Sequence, residues 1–361
     1  MKVLSRHHVA VLLICAAGAA PATAQVASRD PQERAAAVRA QANRVKAERA
    51  VQRRGAAEAP HRPRAAGPEV TEAFSRTVPL TRGGTFELQN IAGDVTVNGA
   101  GGNEARIEAM KRARGLTEAG ARAFLNTMRI DVVERAGTVE VRTVYPRANP
   151  ALAAVDYTIT LPTGANVVVR SASGRLRIQN VAGEVRAQSF NGDVSAVALK
   201  RIRALRSASG NIDVNDSEAD EFNVDTLQGN VIIRNFKARV LDLHTVTGNV
   251  MLHDVATERA LLQSMAGDLE YAGRLMRSGR YQLQTHGGNI RVIPAGSADF
   301  DLEAMTVNGD VRSDFVLKMF QRPGGVERQR LQKVLRGTIG DASALLSASS
   351  FSGDIVIVKP Q

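Results

Sequence analysis

Asparagine or aspartate follows glycine at regular intervals in this sequence, and its side-chain oxygens could hold a cation. Seven of these residues lie in the second half of the chain: Asp193, Asn211, Asn230, Asn249, Asp268, Asn289 and Asp310. Calcium is bound where several oxygens, mostly from charged carboxylates, converge on one point. Here neutral asparagine separates nearly every aspartate, and the glycine-rich calcium nonapeptide is absent. The pattern therefore favours a ladder of amides over a calcium site.

A hydroxyl side chain stands three residues before the repeated glycine and could act as a nucleophile. The positions are Ser171, Ser189, Ser207, Thr226, Thr245, Ser264, Thr285, Thr306 and Ser350. A catalytic serine is a single residue held beside a single base. Nine hydroxyls at the same offset indicate a structural row. We expect this row to face inward and to bond to itself and to the backbone.

Three histidines fall within the repeats: His244, His253 and His286. His244 and His253 flank Gly248, but a metal site there would need further ligands, and the one cysteine, Cys15, lies in the apolar N-terminal run. The outward positions around the turns change chemistry from one repeat to the next, and Ile232 beside Met251 is the one small apolar spot among them. The sequence therefore predicts no catalytic residue, no metal ligand and no cofactor.

The elements that position these residues are copies of a short phrase, glycine followed by asparagine or aspartate and an aliphatic residue. The clearest copies begin at Gly210, Gly229, Gly248, Gly267, Gly288 and Gly309, with steps of 19, 19, 19, 21 and 21 residues. Apolar residues alternate with polar ones on both sides of the glycine, which is typical of strands with one buried face. One such unit cannot bury its apolar face alone, whereas stacked units can, as in a solenoid.

The fold class that follows is all-β: a parallel β-solenoid, right-handed and two-sided, with coils of about 19 residues. The nine-residue steps between Gly174, Gly183 and Gly192 indicate a coil of two similar halves. The register is expected to be continuous from Val167 to Val311. An N-terminal β-rich cap should contain one helix, between Leu116 and Met128, capped by Thr117.

The domain organisation follows from composition and periodicity. We expect a signal peptide at 1–24, a basic Ala/Arg-rich tail and linker, helical or disordered, at 25–69, and one β-solenoid domain at 70–361. The solenoid domain divides into a cap at 70–161, regular coils at 162–313, an excursion at 314–336 that covers the far end of the core, and closing strands at 337–361. The apolar run of the signal is too short to span a bilayer, so no transmembrane segment is expected after its removal.

Charge is concentrated in the tail. The chain carries a formal net charge of +11, and residues 29–64 contain ten Lys or Arg but four Asp or Glu. This segment could contact an anionic surface or serve as a solvated spacer. Nucleic acid is not expected as a partner, because no aromatic side chain lies among the basic residues to stack on bases. The chain has no Trp and 4% aromatic residues, which disfavours lectin-type recognition.

Two stretches carry a resemblance to a known family. They are the segment from Val155 to Pro162, followed by the Ser-x-Ser-Gly and Gly-Asn/Asp-aliphatic series, and the ending from Gly337 to Ile355. They resemble a family of exported bacterial β-strand-repeat proteins of unknown function, labelled "putative adhesins". The resemblance implies a location in the envelope or at the cell surface, and it brings no enzyme activity and no catalytic residues.

The sequence thus predicts a non-enzymatic exported protein of the periplasm or cell surface, acting as a binding, adhesion or scaffold module for an unknown envelope ligand. The alternative is a carbohydrate-active enzyme of the parallel β-helix type, a polysaccharide lyase or hydrolase, which would need clustered carboxylates or basic residues on one exposed face. A regulatory component of the envelope stress response is a third interpretation that the sequence does not separate from the first.

Overall fold

The structure is a computed structural model and describes residues 67–145, 153–296, 299–319 and 333–360. Residues Ala66–Gln361 form one compact unit. The predicted signal peptide and the tail as far as residue 66 lie outside the described residues.

The described residues form strands throughout, with one helix. The first half contains β1 (Glu69–Pro79), β2 (Thr85–Ala92), β3 (Val95–Ala100), β4 (Glu104–Arg114), α1 (Glu118–Thr127), β5 (Arg129–Arg135), β6 (Thr138–Val144), β7 (Ala153–Pro162), β8 (Asn166–Ser173), β9 (Leu176–Gln179), β10 (Glu184–Asn191) and β11 (Val194–Val197). The second half contains β12 (Arg201–Ser209), β13 (Ile212–Gln228), β14 (Val231–Thr247), β15 (Val250–Ala266), β16 (Leu269–Gly287), β17 (Ile290–Ala295), β18 (Phe300–Asn308), β19 (Val311–Ser313), β20 (Lys318–Met319), β21 (Lys333–Ile339), β22 (Ala344–Ser352) and β23 (Ile355–Ile357).

Parallel pairing between successive copies of the repeat builds the core. Ile212 pairs with Val231, Val231 with Val250, and Val250 with Leu269. Each of these aliphatic side chains is buried, because period-two alternation sends every second side chain to the same face. The predicted inward orientation of the aliphatic rows is therefore confirmed, and the chain has an all-β, β-solenoid-like fold.

Each coil has two long sides, which we name by their position relative to the repeated glycine. The post-glycine side contains β3, β9, β11 and the first residues of β13 to β16, and the pre-glycine side contains β2, β8, β10, β12 and the last residues of β13 to β16. Side chains from both sides meet in one continuous hydrophobic core.

A third, short segment joins the two sides in the longest strands, and the prediction of a two-sided coil leaves it out. It contains residues 217–219, 236–238, 255–257 and 273–275, which pair in register. The corner before it has a left-handed backbone at Asp216, Asn235 and Asp254, with φ of 51°, 48° and 53°. Asn and Asp tolerate this conformation. Their recurrence six residues after the glycine is the sequence signal for this corner.

The repeated glycines stack on one another and form a glycine ladder. In stacking order the ladder is Gly93, Gly174, Gly192, Gly210, Gly229, Gly248, Gly267, Gly288, Gly353 and Gly309. A Cβ on Gly229 would lie 2.1 Å from the carbonyl oxygen of Gly210, and the φ of Gly229 is +144°. Gly183 is not on this ladder; it lies at the opposite turn, against Ala165.

The stacking order departs from chain order near the C-terminus. β16 and β17 pair with β22 and β23, and β18 and β19 pair with the outer edges of those same two strands. The Gly353 copy therefore lies between Gly288 and Gly309, and the predicted continuous register to Val311 is wrong here. The physical reason is that β22 and β23 have the same alternation as any other coil, so they can pair on both edges.

Antiparallel strands close both ends of the stack. At the N-terminal end β1 pairs with β4, β4 with β7, and β5 with β6. Helix α1 begins after Thr117, whose side chain accepts a hydrogen bond from the backbone N–H of Gly120, so the predicted helix and its cap are confirmed. At the C-terminal end β21 pairs antiparallel with β18, and Phe315 packs edge-on against Phe300.

Candidate functional site

The Asn/Asp row forms a ladder of side-chain to backbone hydrogen bonds. In each rung the side-chain Oδ1 accepts a hydrogen bond from the backbone N–H of the equivalent residue in the next coil. The rungs include Asn211 to Asp193, Asn230 to Asn211, Asn249 to Asn230, Asp268 to Asn249, Asn289 to Asp268, Asp354 to Asn289 and Asp310 to Asp354, with distances from 2.7 to 3.0 Å. Because one acceptor oxygen suffices, either Asn or Asp can occupy the position.

This geometry predicts a difference between two substitutions at Asn230. Asn230→Asp keeps the oxygen that accepts from the N–H of Asn249, and its neighbours in the row are both neutral asparagines. We expect it to change the free energy of unfolding by less than about 0.5 kcal/mol. Asn230→Leu removes the acceptor and should cost about 1 to 2 kcal/mol. Chemical denaturation of the two variants measures both values, and equal losses would contradict this role of Oδ1.

The hydroxyl row is buried and donates to the backbone, as predicted, but the predicted bonds between its own hydroxyls do not form among the described residues. Ser207, Thr285, Thr306 and Ser350 donate to carbonyl oxygens of ladder glycines at 2.9 to 3.3 Å. No bond between two hydroxyls of the row occurs among the described residues. The hydroxyl oxygens of Ser189, Thr226, Thr245 and Ser264 have no partner there. All nine side chains of the row are buried, as expected for residues with a structural role.

The titratable side chains in the described ranges show no arrangement typical of catalysis. No group of three His, Cys, Asp or Glu in these ranges could hold a metal ion. His253 lies 3.9 Å from Glu270, and His244 lies on the other long side of the coil. Burial raises the pKa of all four tyrosines, to about 12 for Tyr145, so none is poised to act as a base near neutral pH.

A row of exposed apolar side chains, two residues before the ladder glycines, is the main surface feature. We call it the apolar row, and its large members in stacking order are Ile91, Phe190, Leu227, Val246, Met265 and Phe351. Phe190 is 69% exposed, Met265 60% and Leu227 56%. His286 occupies the same offset between Met265 and Phe351 and stacks on the Phe351 ring at 4.6 Å. Exposed apolar surface of this extent marks a contact site more often than ordinary surface.

Two shallow cavities lie along the apolar row and make it a groove. The first, of 300 Å³, is bordered by Phe190, Leu227 and Val246 on one side and by Arg206, Asp225 and His244 on the other. The second, of 470 Å³, continues past His244 to Gln263, Met265, Gln284 and His286. Equivalent positions in neighbouring coils lie about 4.8 Å apart. The groove therefore offers a rigid, evenly spaced apolar edge beside a polar one.

The acidic side chains of this groove bear on the alternative of a glycoside hydrolase. The one carboxylate among the lining residues is Asp225, which is paired with Arg206 at 2.9 Å. Glycoside hydrolysis usually requires two carboxylates facing each other across the scissile bond. The groove lacks that pair in the described residues.

The sequence reasoning missed this row. It placed a small apolar spot at Ile232 and Met251, which the structure pairs across neighbouring strands of the post-glycine side. The larger surface lies on the pre-glycine side. Its signal was a large apolar residue at the outward offset two before the glycine, where a solvated strand would carry a polar residue.

The fold and the ladder define a β-solenoid-like protein of stacked strand repeats, and comparison with protein families gives the same result. Residues 85–358 match the sequence profile of the Toastrack DUF4097 family, and the chain belongs to that family. The resemblance noted in the sequence is thereby confirmed. No curated protein matches the chain. Within the described ranges, no helix has the length and apolar composition that a membrane crossing requires.

Solved structures similar to this chain include three from Bacteroides and Parabacteroides species. A "putative adhesin" from Bacteroides fragilis NCTC 9343 has 12% identity, a TM-score of 0.40, and coverage of 80% of this chain and 97% of its own. A "putative adhesin" from Parabacteroides distasonis ATCC 8503 has 13% identity, a TM-score of 0.46 and the same two coverages. A "putative lipid binding protein" from the same species has 8% identity, a TM-score of 0.37 and the same two coverages.

Proposed function

We propose that this protein is a non-enzymatic, exported cell-envelope module that binds a partner through the apolar row. The observation that carries the proposal is the exposure of Phe190, Leu227 and Met265 at one offset of a rigid repeat. A soluble repeat protein has no structural need for large apolar side chains at outward positions, and such surfaces mark interaction sites. Binding, adhesion and scaffolding all use such a surface.

The export part of the proposal rests on the N-terminal sequence. Residues 1–24 combine a charged start, an apolar run and an Ala-x-Ala site before Gln25, which is the pattern of a cleavable signal. We propose the periplasm or the cell surface as the location. The basic tail would add contacts to anionic surfaces. We also infer a right-handed winding with coils of about 19 residues, since parallel crossovers favour that hand.

One experiment tests location and contact together. A photo-crosslinking amino acid replaces Leu227 in the full chain, and the protein is recovered from intact, irradiated cells. We expect it in the envelope fraction, beginning at Gln25, with covalent adducts. The matched control carries the same amino acid at Arg291, an exposed residue of β17 on the post-glycine side, and should give none.

Two outcomes would contradict the proposal. Recovery of a chain that begins at Met1 from the cytoplasm would end the claim of export. Equal adducts from positions 227 and 291, or adducts from neither, would end the claim that the apolar row is the contact surface.

A further inference from the structure

A bulge in β16 walls two further cavities at the start of the pre-glycine strands. Thr257 pairs with Leu275 and Arg259 pairs with Arg280, so one residue of β15 lies opposite four residues of β16. These four, residues 276–279, leave the regular ladder, and Ser278 has a φ of 59°. The bulge borders cavities of 320 and 600 Å³.

The side chains around these cavities are mainly arginines. The smaller cavity is lined by Arg239, Glu258, Arg259, Ser278 and Arg280, with Val240 beside them. The larger one adds Arg274 and Arg277 and shares Glu258. Glu258 is the one acidic side chain that lines either cavity among the described residues. The two cavities together are thus lined by five arginines and one carboxylate.

The ion pairing of these arginines differs from that of the other cationic side chains on this surface. Elsewhere a cation of one coil faces an acid of the next, as in Arg206 with Asp225 at 2.9 Å and Lys200 with Glu218 at 3.1 Å. Arg239 follows that rule and is paired with Asp220 at 2.7 Å and with Glu221 at 2.5 Å. The other four arginines of the cluster, Arg259, Arg274, Arg277 and Arg280, form no ion pair within the described ranges.

Arg259 and Arg280 stand directly opposite each other on neighbouring parallel strands. Like charges in that position repel and destabilise a sheet. An anion between them would reverse the sign of the interaction, because guanidinium groups bind phosphate and sulfate oxygens through paired N–H donors. The bulge supplies a wall and the Ser278 hydroxyl.

We propose that the smaller cavity, of 320 Å³, binds an oxyanion bearing more than one phosphate or sulfate group, with Arg259 and Arg280 as its main ligands. The cavity is separate from the apolar row, which lies at the other end of the pre-glycine strands. Loss of anion binding and loss of contacts through the apolar row can therefore be distinguished by experiment. The proposed anion site is also distinct from any contact made by the basic tail.

Titration of the purified full chain with inorganic pyrophosphate at low ionic strength tests the proposal. We expect saturable binding that the double variant Arg259→Gln/Arg280→Gln weakens by about tenfold or more. Glu258→Gln should instead strengthen binding, because it removes the one carboxylate that lines the cavity. Arg291→Gln, which removes an exposed arginine outside the cavity, is the matched control and should leave the affinity unchanged.

Thermal melting of the same variants checks that they fold. Relief of like-charge repulsion means that Arg280→Gln should melt at the same temperature as the wild type or higher. Pyrophosphate should raise the melting temperature of the wild type more than that of the double variant.

A sulfated glycan and cardiolipin vesicles, whose lipid carries two phosphates per molecule, distinguish the source of the anionic group. Variant-sensitive binding of either one identifies that source and supports the proposal. Absence of saturable pyrophosphate binding, or binding that the double variant and Glu258→Gln both leave unchanged, overturns it.

Discussion

Val231→Asp is expected to unfold the stacked coils. Val231 is fully buried and lies between Ile212 and Val250 of the neighbouring coils. A carboxylate there would lose its hydration and find no cation, since Val231 belongs to a hydrophobic core. The loss should reach about 4 kcal/mol or more, a magnitude typical of an unpaired buried charge. Thermal unfolding followed by circular dichroism measures it.

The same strand offers a matched control with the identical change of side chain. Val246 lies in β14 at the outward parity and is 44% exposed. Val246→Asp should therefore change stability by no more than about 0.5 kcal/mol. If Val231→Asp gives no folded protein, Val231→Ala supplies a measurable intermediate, because it only opens a cavity and should cost about 1 to 3 kcal/mol. Unchanged melting of Val231→Asp would show that the aliphatic row does not face the core.

The aliphatic, hydroxyl and Asn/Asp rows could be predicted from the sequence because each depends on local physics. Alternation with period two assigns Val231 and Ile233 to the buried face, whatever lies on either side of the coil. The cap of α1 at Thr117 was predictable for the same reason, since an N-cap is a local hydrogen bond. Local rules of this kind carry over directly into the structure.

The order of the coils could not be predicted because the repeats are interchangeable. Gly288, Gly309 and Gly353 carry the same phrase, and any of them can stack on any other. Which copy lies in the middle is decided by long-range pairing of β22 and β23, to which no local pattern points. The difference between the two faces fixes the register of each strand, but it does not fix the order of copies that all share the same alternation.

The candidate site escaped the sequence reasoning for a related reason. The sequence reasoning considered reactive residues and interpreted Ser189, Thr226 and their equivalents as structural. It passed over Phe190, Leu227 and Met265, because a large apolar residue in a β-rich sequence is usually assigned to the core. Parity relative to the ladder glycine places these residues outside, and that test uses the sequence alone.

Gly229→Ala is expected to be as disruptive as a charge in the core, although it adds a single methyl group. Its Cβ would lie 2.1 Å from the carbonyl oxygen and 2.6 Å from the carbonyl carbon of Gly210. Both contacts are with backbone, so the neighbouring coil must move as a whole. That movement would strain the bond from the Gly229 N–H to Thr247 at 3.0 Å and the rung from Asn230 to Asn211 at 2.9 Å. We expect a loss of about 3 kcal/mol or more.

Two contributions add up to this loss: the clash of the added Cβ and the strain of a positive φ. Two other glycines separate them. Gly83 has a φ of +86°, and a Cβ added there would have nothing within 4 Å, so Gly83→Ala carries only backbone strain and should cost about 1 to 2 kcal/mol. Gly183 has a Cβ position 2.0 Å from the Ala165 carbonyl oxygen without a left-handed φ, so Gly183→Ala carries only the clash. If close stacking of the coils sets the requirement for glycine, Gly183→Ala and Gly229→Ala should both lose far more than Gly83→Ala in denaturant titrations. Equal losses at all three positions would mean that conformation alone, and not the approach of one coil to the next, selects glycine in the ladder.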